Sequence, residues 1–142
     1  TTLFRSEVGL AFNEMYYIES PEFHYDVTYD QVIEFLKRFT RETVPTALYA
    51  ASDVMAIATI RALESEGYKV PEDVSVIGFD DVEMAEYSRP ALTTIRQKKD
   101  EIGITVAELL VKSIENNEVP KGIIRIPVEL IVRDTVKTIK AE

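Results

Sequence analysis

The stretch TALYAASDVMAIATIRALESEGYKVPEDVSVIGFDD, residues 46–81, decides the fold because it alternates strand-like and helix-like segments. An apolar run at 48–50 is followed by a helix-like segment at 53–66 and then by Gly67. Glycine tolerates the left-handed conformation that commonly ends a helix. A second β-rich run follows at 74–79. This order predicts a βαβ unit whose two strands lie parallel, with a right-handed crossover.

Acidic residues follow both predicted strands. Ser52 and Asp53 come directly after the first strand, and Asp80 and Asp81 come directly after the second. In open parallel sheets, ligands bind in the crevice beyond the carboxyl ends of the strands. We therefore expect Asp53 and Asp80 to face a binding site, whereas Asp81 points elsewhere and is interpreted as structural.

Four motifs, in this order and at this spacing, resemble the LacI/GalR family of bacterial transcription regulators. They are the Ser52-Asp53 strand end before an apolar helix, VPEDVSVIGFDD at 70–81, PALTTIRQ at 90–97 and IPVELIVRDT at 126–135. The resemblance implies the effector-binding core of a periplasmic-binding-protein-like type I fold. That fold class is α/β, a mostly parallel sheet with helices on both faces. The family's helix-turn-helix and most of its N-terminal subdomain are expected to be missing from this sequence.

The resemblance also implies a division into two subdomains. Residues 1–96 and 127–136 would form the C-terminal effector-binding subdomain. Residues 97–126 would be a crossover segment that belongs to the N-terminal subdomain. This segment contains an amphipathic helical pattern whose apolar stripe is Ile102, Val106, Leu109, Leu110 and Ile114.

The composition excludes several classes of function. The 142 residues carry a net charge of −9, with a pI near 4.7 and no cysteine. A DNA-binding domain normally carries a basic footprint, so operator DNA is expected to be bound only through the missing N-terminal domain. The lack of cysteine fits a cytoplasmic protein and removes thiolate metal sites. No apolar run reaches the roughly 20 residues of a membrane span, and no metal or cofactor motif is present.

Other local patterns carry weaker predictions. Residues 16–18 form a short β-rich run, and 123–133 is mostly β-branched, which indicates one or two strands. Thr28 and Gln31 have the spacing of a capping box at a helix start. The helix that begins at Asp53 is apolar all round in its first two turns, so it needs cover on a second side. Either a larger intramolecular core or a subunit interface could supply that cover.

Three strand-end residues are candidate ligand contacts. A carboxylate such as Asp80 can accept charge-assisted hydrogen bonds from vicinal sugar hydroxyls, and the resembling family uses this aspartate for that purpose. Ser52 stands where the family usually has asparagine, and its shorter side chain lacks the two amide donors. Asp53 could face the ligand or cap the helix that it begins.

Two further candidates precede the first helix. Phe23 lies where the family places an aromatic residue that stacks on a sugar ring, although ordinary loop packing would also explain it. Arg5 is one residue early relative to the arginine of the family's R-x-x-G-F pattern.

The sequence therefore predicts the effector-binding and dimerisation domain of a regulator whose effector is a sugar or a related small polar molecule. The family places Ile57 and Tyr87 near the interface of a homodimer. The alternative is an extracytoplasmic sugar-binding protein of a transport system. An enzyme is not expected, because the strand-end acids lack an accompanying lysine or nucleophilic aspartate for phosphotransfer.

Overall fold

The computed structural model describes residues 9, 13–20, 23–117, 119 and 121–138. A short 3-10 turn at Glu14–Tyr16 precedes the regular elements. The elements are α1 (Tyr25–Leu36), β1 (Ala47–Tyr49), α2 (Asp53–Ser65), β2 (Ser75–Phe79), α3 (Glu83–Tyr87), β3 (Thr93–Arg96), α4 (Lys99–Asn116) and β4 (Glu129–Ile131). The predicted α/β class with a mostly parallel sheet is confirmed.

The sheet has the strand order β1-β2-β3-β4. β1, β2 and β3 are parallel, and β4 pairs antiparallel with β3. The β1–α2–β2 segment is the predicted βαβ unit, and its helix ends before Gly67, which has φ +78°. The carboxyl ends of the three parallel strands therefore share one edge of the sheet, where a binding site was expected.

The hydrophobic core lies where α1 packs on α2 and α2 packs on β2. Its largest fully buried apolar side chains are Val32, Phe35, Leu63, Val74, Val76 and Leu92. α1 thus supplies an intramolecular cover for the second side of α2. Val54, in the first turn of α2, remains exposed.

Three local predictions are wrong or only partly right. The capping box is absent because α1 begins at Tyr25, so Thr28 lies inside the helix and its hydroxyl donates to the carbonyl of His24 at 2.8 Å. Residues 16–18 form no strand in the described sheet. In the β-branched stretch at 123–133, only Glu129–Ile131 pairs with a neighbouring strand.

α4 buries none of its residues. In the predicted apolar stripe, Ile102 and Leu109 are partly buried, whereas Val106, Leu110 and Ile114 are exposed. The helix and its stripe are therefore present, and the described part of the chain leaves the stripe largely uncovered.

Gly78 on β2 gives a direct test of this packing. A Cβ at this position would lie 2.3 Å from Asp53 Oδ1 and 3.0 Å from Leu92 Cδ2. We expect Gly78→Ala to lower the free energy of unfolding by about 1–3 kcal/mol, because the buried neighbours must shift. Urea denaturation followed by circular dichroism measures the change.

Gly103→Ala on α4 is the matched control, because a Cβ there meets no atom within 4 Å. In a helix interior, alanine should be neutral or stabilising by roughly 0.5–1 kcal/mol. Equal effects of the two substitutions would contradict the close packing described at Gly78.

Candidate functional site

The turn after β2 has an uncommon backbone conformation. Asp80 and Asp81 have φ values of +113° and +49°, so two successive non-glycine residues lie at positive φ. Such residues cost free energy and persist only where surrounding contacts hold them. The Asp80 N–H donates to the carbonyl of Ile95 at 2.9 Å, which ties the turn to β3.

The side chain of Asp81 is held by two arginines. Oδ1 accepts a hydrogen bond from Arg133 Nη2 at 2.8 Å, and Oδ2 accepts one from Arg96 Nε at 2.6 Å. Burial alone would raise the pKa of Asp81, but the hydrogen bonds and charges of the two arginines outweigh it and lower that pKa. The interaction stabilises the fold above about pH 4 and weakens as pH falls through the depressed pKa. These contacts agree with a structural role for Asp81.

Asp80 keeps one carboxylate oxygen open. Oδ1 accepts a hydrogen bond from Gln97 Nε2 at 2.6 Å. Oδ2 has no hydrogen-bond partner among the described residues, and the side chain is only partly buried. A carboxylate can accept several hydrogen bonds, so Asp80 can engage a hydroxyl donor while Gln97 fixes its orientation.

Asp53 is fully buried, and both of its oxygens are used. Oδ2 accepts from the N–H of Val82 at 2.8 Å, and Oδ1 accepts from Thr94 Oγ1 at 2.5 Å. Burial raises the pKa of Asp53, the two hydrogen bonds lower it, and the charges of Asp80 and Asp81 raise it, so that the pKa is above its usual value. Asp53 therefore positions the turn that carries Asp80.

Ser52 is the N-cap of α2. Its Oγ accepts a hydrogen bond from the N–H of Met55 at 3.3 Å, and the residue is buried. The alternative that Asp53 caps the helix is thus wrong, because the neighbouring residue occupies that position. Direct ligand contact by Ser52 or Asp53 stays a prediction.

Phe23 lines a cavity of about 950 Å³ next to β1, and 66% of its surface is exposed. Tyr49 lines the same cavity, and its pKa is raised by burial and by the negative charge of Asp80. Tyr49 therefore lies close enough to the turn after β2 for the charge of Asp80 to act on it, although Asp80 itself does not line the cavity. Arg5 lies outside the described residues.

Sequence reasoning missed three residues that contact the two aspartates of the turn. Arg96 and Gln97 come at the end of β3, and Arg133 follows β4. For Arg96 and Gln97 the signal was available, because polar residues at the end of one parallel strand lie beside those at the end of the next. Arg133 follows the antiparallel strand β4, so this rule does not cover it. Within the described residues, no group of three or more acidic or histidine side chains could hold a metal ion. No helix in the same part of the chain is long and apolar enough to cross a bilayer.

Comparison with known families agrees with this geometry. A profile of the periplasmic binding protein-like domain matches residues 2–136. The chain belongs to this family. The HTH-type transcriptional repressor PurR of Vibrio campbellii is 38% identical over 135 residues, which is 93% of this chain and 38% of that protein. PurR of Vibrio vulnificus is 44% identical over 95 residues, which is 67% of this chain and 28% of that protein.

Solved structures give the same result. The complex of the transcriptional regulator CelR with cellobiose has a TM-score of 0.81 at 31% identity, and it covers 94% of this chain and 40% of CelR. The Lac repressor bound to ONPG in the repressed state has a TM-score of 0.72 at 32% identity, and the match covers 81% of this chain and 34% of the Lac repressor. The resemblance to LacI/GalR regulators is confirmed. This chain spans less than two fifths of the length of the curated PurR relatives given above.

The buried carboxylate of Asp53 predicts a specific pH dependence. Its folded pKa is raised, so between about pH 4 and that pKa the native state holds a proton that the unfolded chain has lost. Stability should therefore fall as pH rises through this window. Asp53→Asn keeps an acceptor for the N–H of Val82 and a group that pairs with Thr94, and it should remove this decrease of stability with pH. Urea unfolding at a series of pH values measures the free energy of unfolding of both proteins.

Asp53→Ala is the contrasting variant. It leaves the N–H of Val82 without a partner, which should cost about 1–3 kcal/mol at every pH. If Asp53→Asn and the unmodified chain had parallel stability profiles from pH 4 to 8, the raised pKa of Asp53 would be contradicted.

Proposed function

We propose that this chain is the effector-binding part of a LacI/GalR-like transcriptional regulator, and that its effector is a sugar or a related small polar molecule. The observation that carries the proposal is Asp80, whose open carboxylate oxygen lies at the carboxyl edge of a parallel sheet. Gln97 donates a hydrogen bond to this carboxylate at 2.6 Å, and the charge of Asp80 acts on Tyr49, which lines an aromatic-rich cavity next to β1. Such an arrangement can accept hydrogen bonds from vicinal hydroxyls, and the aromatic residues suit the apolar face of a sugar ring.

The relatives support a binding function over catalysis. Those reported above are transcriptional repressors and regulators, and one of them is in complex with cellobiose. An extracytoplasmic carrier of the same fold is less favoured, because the sequence relatives are named as helix-turn-helix repressors. We infer a cytoplasmic protein that reaches operator DNA only through a separate DNA-binding domain.

We further propose that residues 97–126 belong to a second subdomain, separate from 1–96 and 127–136. α4 supports this division, because none of its residues is buried against the rest of the described chain. Ligand would close the two subdomains about the crossover at 93–97, as binding proteins with hinges do. Gln97 lies in that crossover and contacts Asp80, so it is placed to connect ligand binding with the hinge.

The first test concerns Asp80. We expect cellobiose, or another saccharide from a mono- and disaccharide panel, to shift the side-chain amide signals of Gln97 in a nuclear magnetic resonance titration. Asp80→Asn should weaken that binding roughly tenfold or more, because a hydrogen bond to a charged group contributes about 1.5–3 kcal/mol. Thermal unfolding should change little.

Glu86→Gln is the matched control, because it removes one negative charge from α3, which directly follows the turn. It should leave the affinity unchanged. A panel in which no saccharide binds would contradict the sugar proposal, and unchanged affinity in Asp80→Asn would remove Asp80 from the site.

The second test concerns association. We propose a homodimer through the region of Ile57 and Tyr87. Tyr87 and Met84 lie on α3 and are each 62% exposed, whereas Ile57 is partly buried. Exposed apolar groups of this kind favour association, since burial contributes about 25 cal/mol per Å².

Light scattering at tens of micromolar protein should give the mass of a dimer. Tyr87→Asp should shift that mass toward a monomer, because a charge would be buried at the interface. Val132→Asp, which changes an exposed valine after β4, is the control and should leave the dimer intact. A monomeric mass for the unmodified chain would contradict the proposed homodimer.

A further inference from the structure

The chain passes between the two proposed subdomains along two neighbouring strands. β3 leads out to α4, and β4 brings the chain back. The two strands pair antiparallel, with Thr94 opposite Ile131 and Arg96 opposite Glu129. β3 also pairs with β2 on its other side, and Thr93 and Thr94 are buried. Bending within β3 would break this pairing, so the outgoing chain can bend only after Arg96.

Asp81 joins both of these strands to the turn after β2. Its side chain is only 8% exposed, and it accepts hydrogen bonds from Arg96 at the end of β3 and from Arg133 just after β4. An isolated ion pair at a protein surface contributes little to stability, whereas a nearly buried carboxylate with both oxygens paired contributes more. Removal of either arginine should therefore loosen the contact between the turn and one of the two strands.

The two arginines differ in how they are anchored. The side chain of Arg133 is 15% exposed and also donates to the carbonyl of Leu92 at 2.8 Å. The side chain of Arg96 is 47% exposed, and its other ion pair in the described part of the chain is a longer one, with Glu129 at 3.8 Å. Arg133 therefore keeps an anchor without Asp81, whereas the position of Arg96 depends mainly on Asp81.

A tight turn joins β3 to α4. The N–H of Lys99 donates to the carbonyl of Gln97 at 2.9 Å, and Lys98 between them has φ −78° and ψ 72°. These are the features of an inverse γ-turn, which is common at the ends of strands. Lys98 is also the N-cap of α4, and its side chain makes no capping hydrogen bond. The change of direction between the sheet and α4 is therefore concentrated in this one turn.

We infer that Arg96 is a positioning residue of the effector site and that it acts through Asp81. Its ion pair holds β3 against the turn that presents Asp80, and it confines bending of the outgoing chain to the γ-turn that begins at Gln97. The hinge proposed for the crossover at 93–97 is thereby narrowed to its last residue and the turn that follows. The effect on ligand binding rests on the proposed function, whereas the effect on the turn is present without ligand.

The first arm of the test measures amide hydrogen exchange in the ligand-free chain. Arg96→Gln should speed exchange of the Asp80 N–H, which is bonded to β3, by roughly threefold or more. Exchange of the Ala56 N–H, in the buried first turn of α2, should not change. Arg96→Lys keeps a positive charge beside Asp81 and should restore most of the protection. Arg61→Gln, which removes an exposed ion pair on α2, is the matched control and should change neither amide.

The second arm is a double-mutant cycle on the affinity for a saccharide from the panel. Arg96→Gln and Asp81→Asn should each weaken binding by roughly threefold or more, and the double variant should bind no more weakly than Asp81→Asn alone. This result is expected because Arg96 acts only through Asp81.

Three outcomes would overturn the inference: additive losses in the cycle, unchanged exchange of the Asp80 amide in Arg96→Gln, or equal acceleration at Asp80 and Ala56. Equal acceleration would mean that Arg96 serves only the overall stability of the fold. A panel in which no saccharide binds would contradict the proposed effector, and exchange of the Asp80 amide would then decide the role of Arg96 by itself.

Discussion

The buried carboxylate of Asp53 is the contact on which the carboxyl edge of the sheet depends. It joins three elements, because Asp53 opens α2, Val82 follows β2 and Thr94 lies on β3. An unpaired buried carboxylate would be costly, so the two hydrogen bonds offset its desolvation. Gly78 is required opposite it, since any side chain there would collide with Oδ1. These contacts hold the turn that contains two residues at positive φ.

Asp80 and Asp81, in the turn that Asp53 holds, have different roles. Asp81 is paired with Arg96 and Arg133, which satisfies both oxygens and lowers its pKa. Asp80 receives one amide hydrogen bond from Gln97 and keeps an open oxygen. The two carboxylates are chemically alike, and their different hydrogen-bond partners and neighbouring charges give them different roles. The contacts of Asp81 also fix the backbone of the turn that presents Asp80.

The sequence predicted those parts of the structure whose signals are local. The parallel βαβ unit followed from two apolar runs, a helical segment and Gly67, each of which acts on its own neighbours in the chain. Thr28 was misinterpreted because a threonine hydroxyl can cap a helix or bond a carbonyl four residues earlier, and the choice depends on where the helix begins. The position of Gln97 at the end of a predicted strand marks it as a candidate, but its contact with Asp80 depends on the register between β2 and β3, which no single segment encodes.

The link between β3 and α4 joins the candidate site around Asp80 to α4, a helix that buries none of its residues. Arg96 and Gln97 contact the turn after β2, and α4 begins two residues later at Lys99. Because α4 buries no residue, its position depends strongly on how this link is held. A ligand that bonds Asp80 would change the environment of the Gln97 amide, and hydrogen bonds to charged groups contribute about 1.5–3 kcal/mol. A ligand shifts a conformational equilibrium only by its differential affinity for the two states. A ligand contact that differed by about 1.5 kcal/mol between two positions of α4 would shift the equilibrium between those positions roughly tenfold.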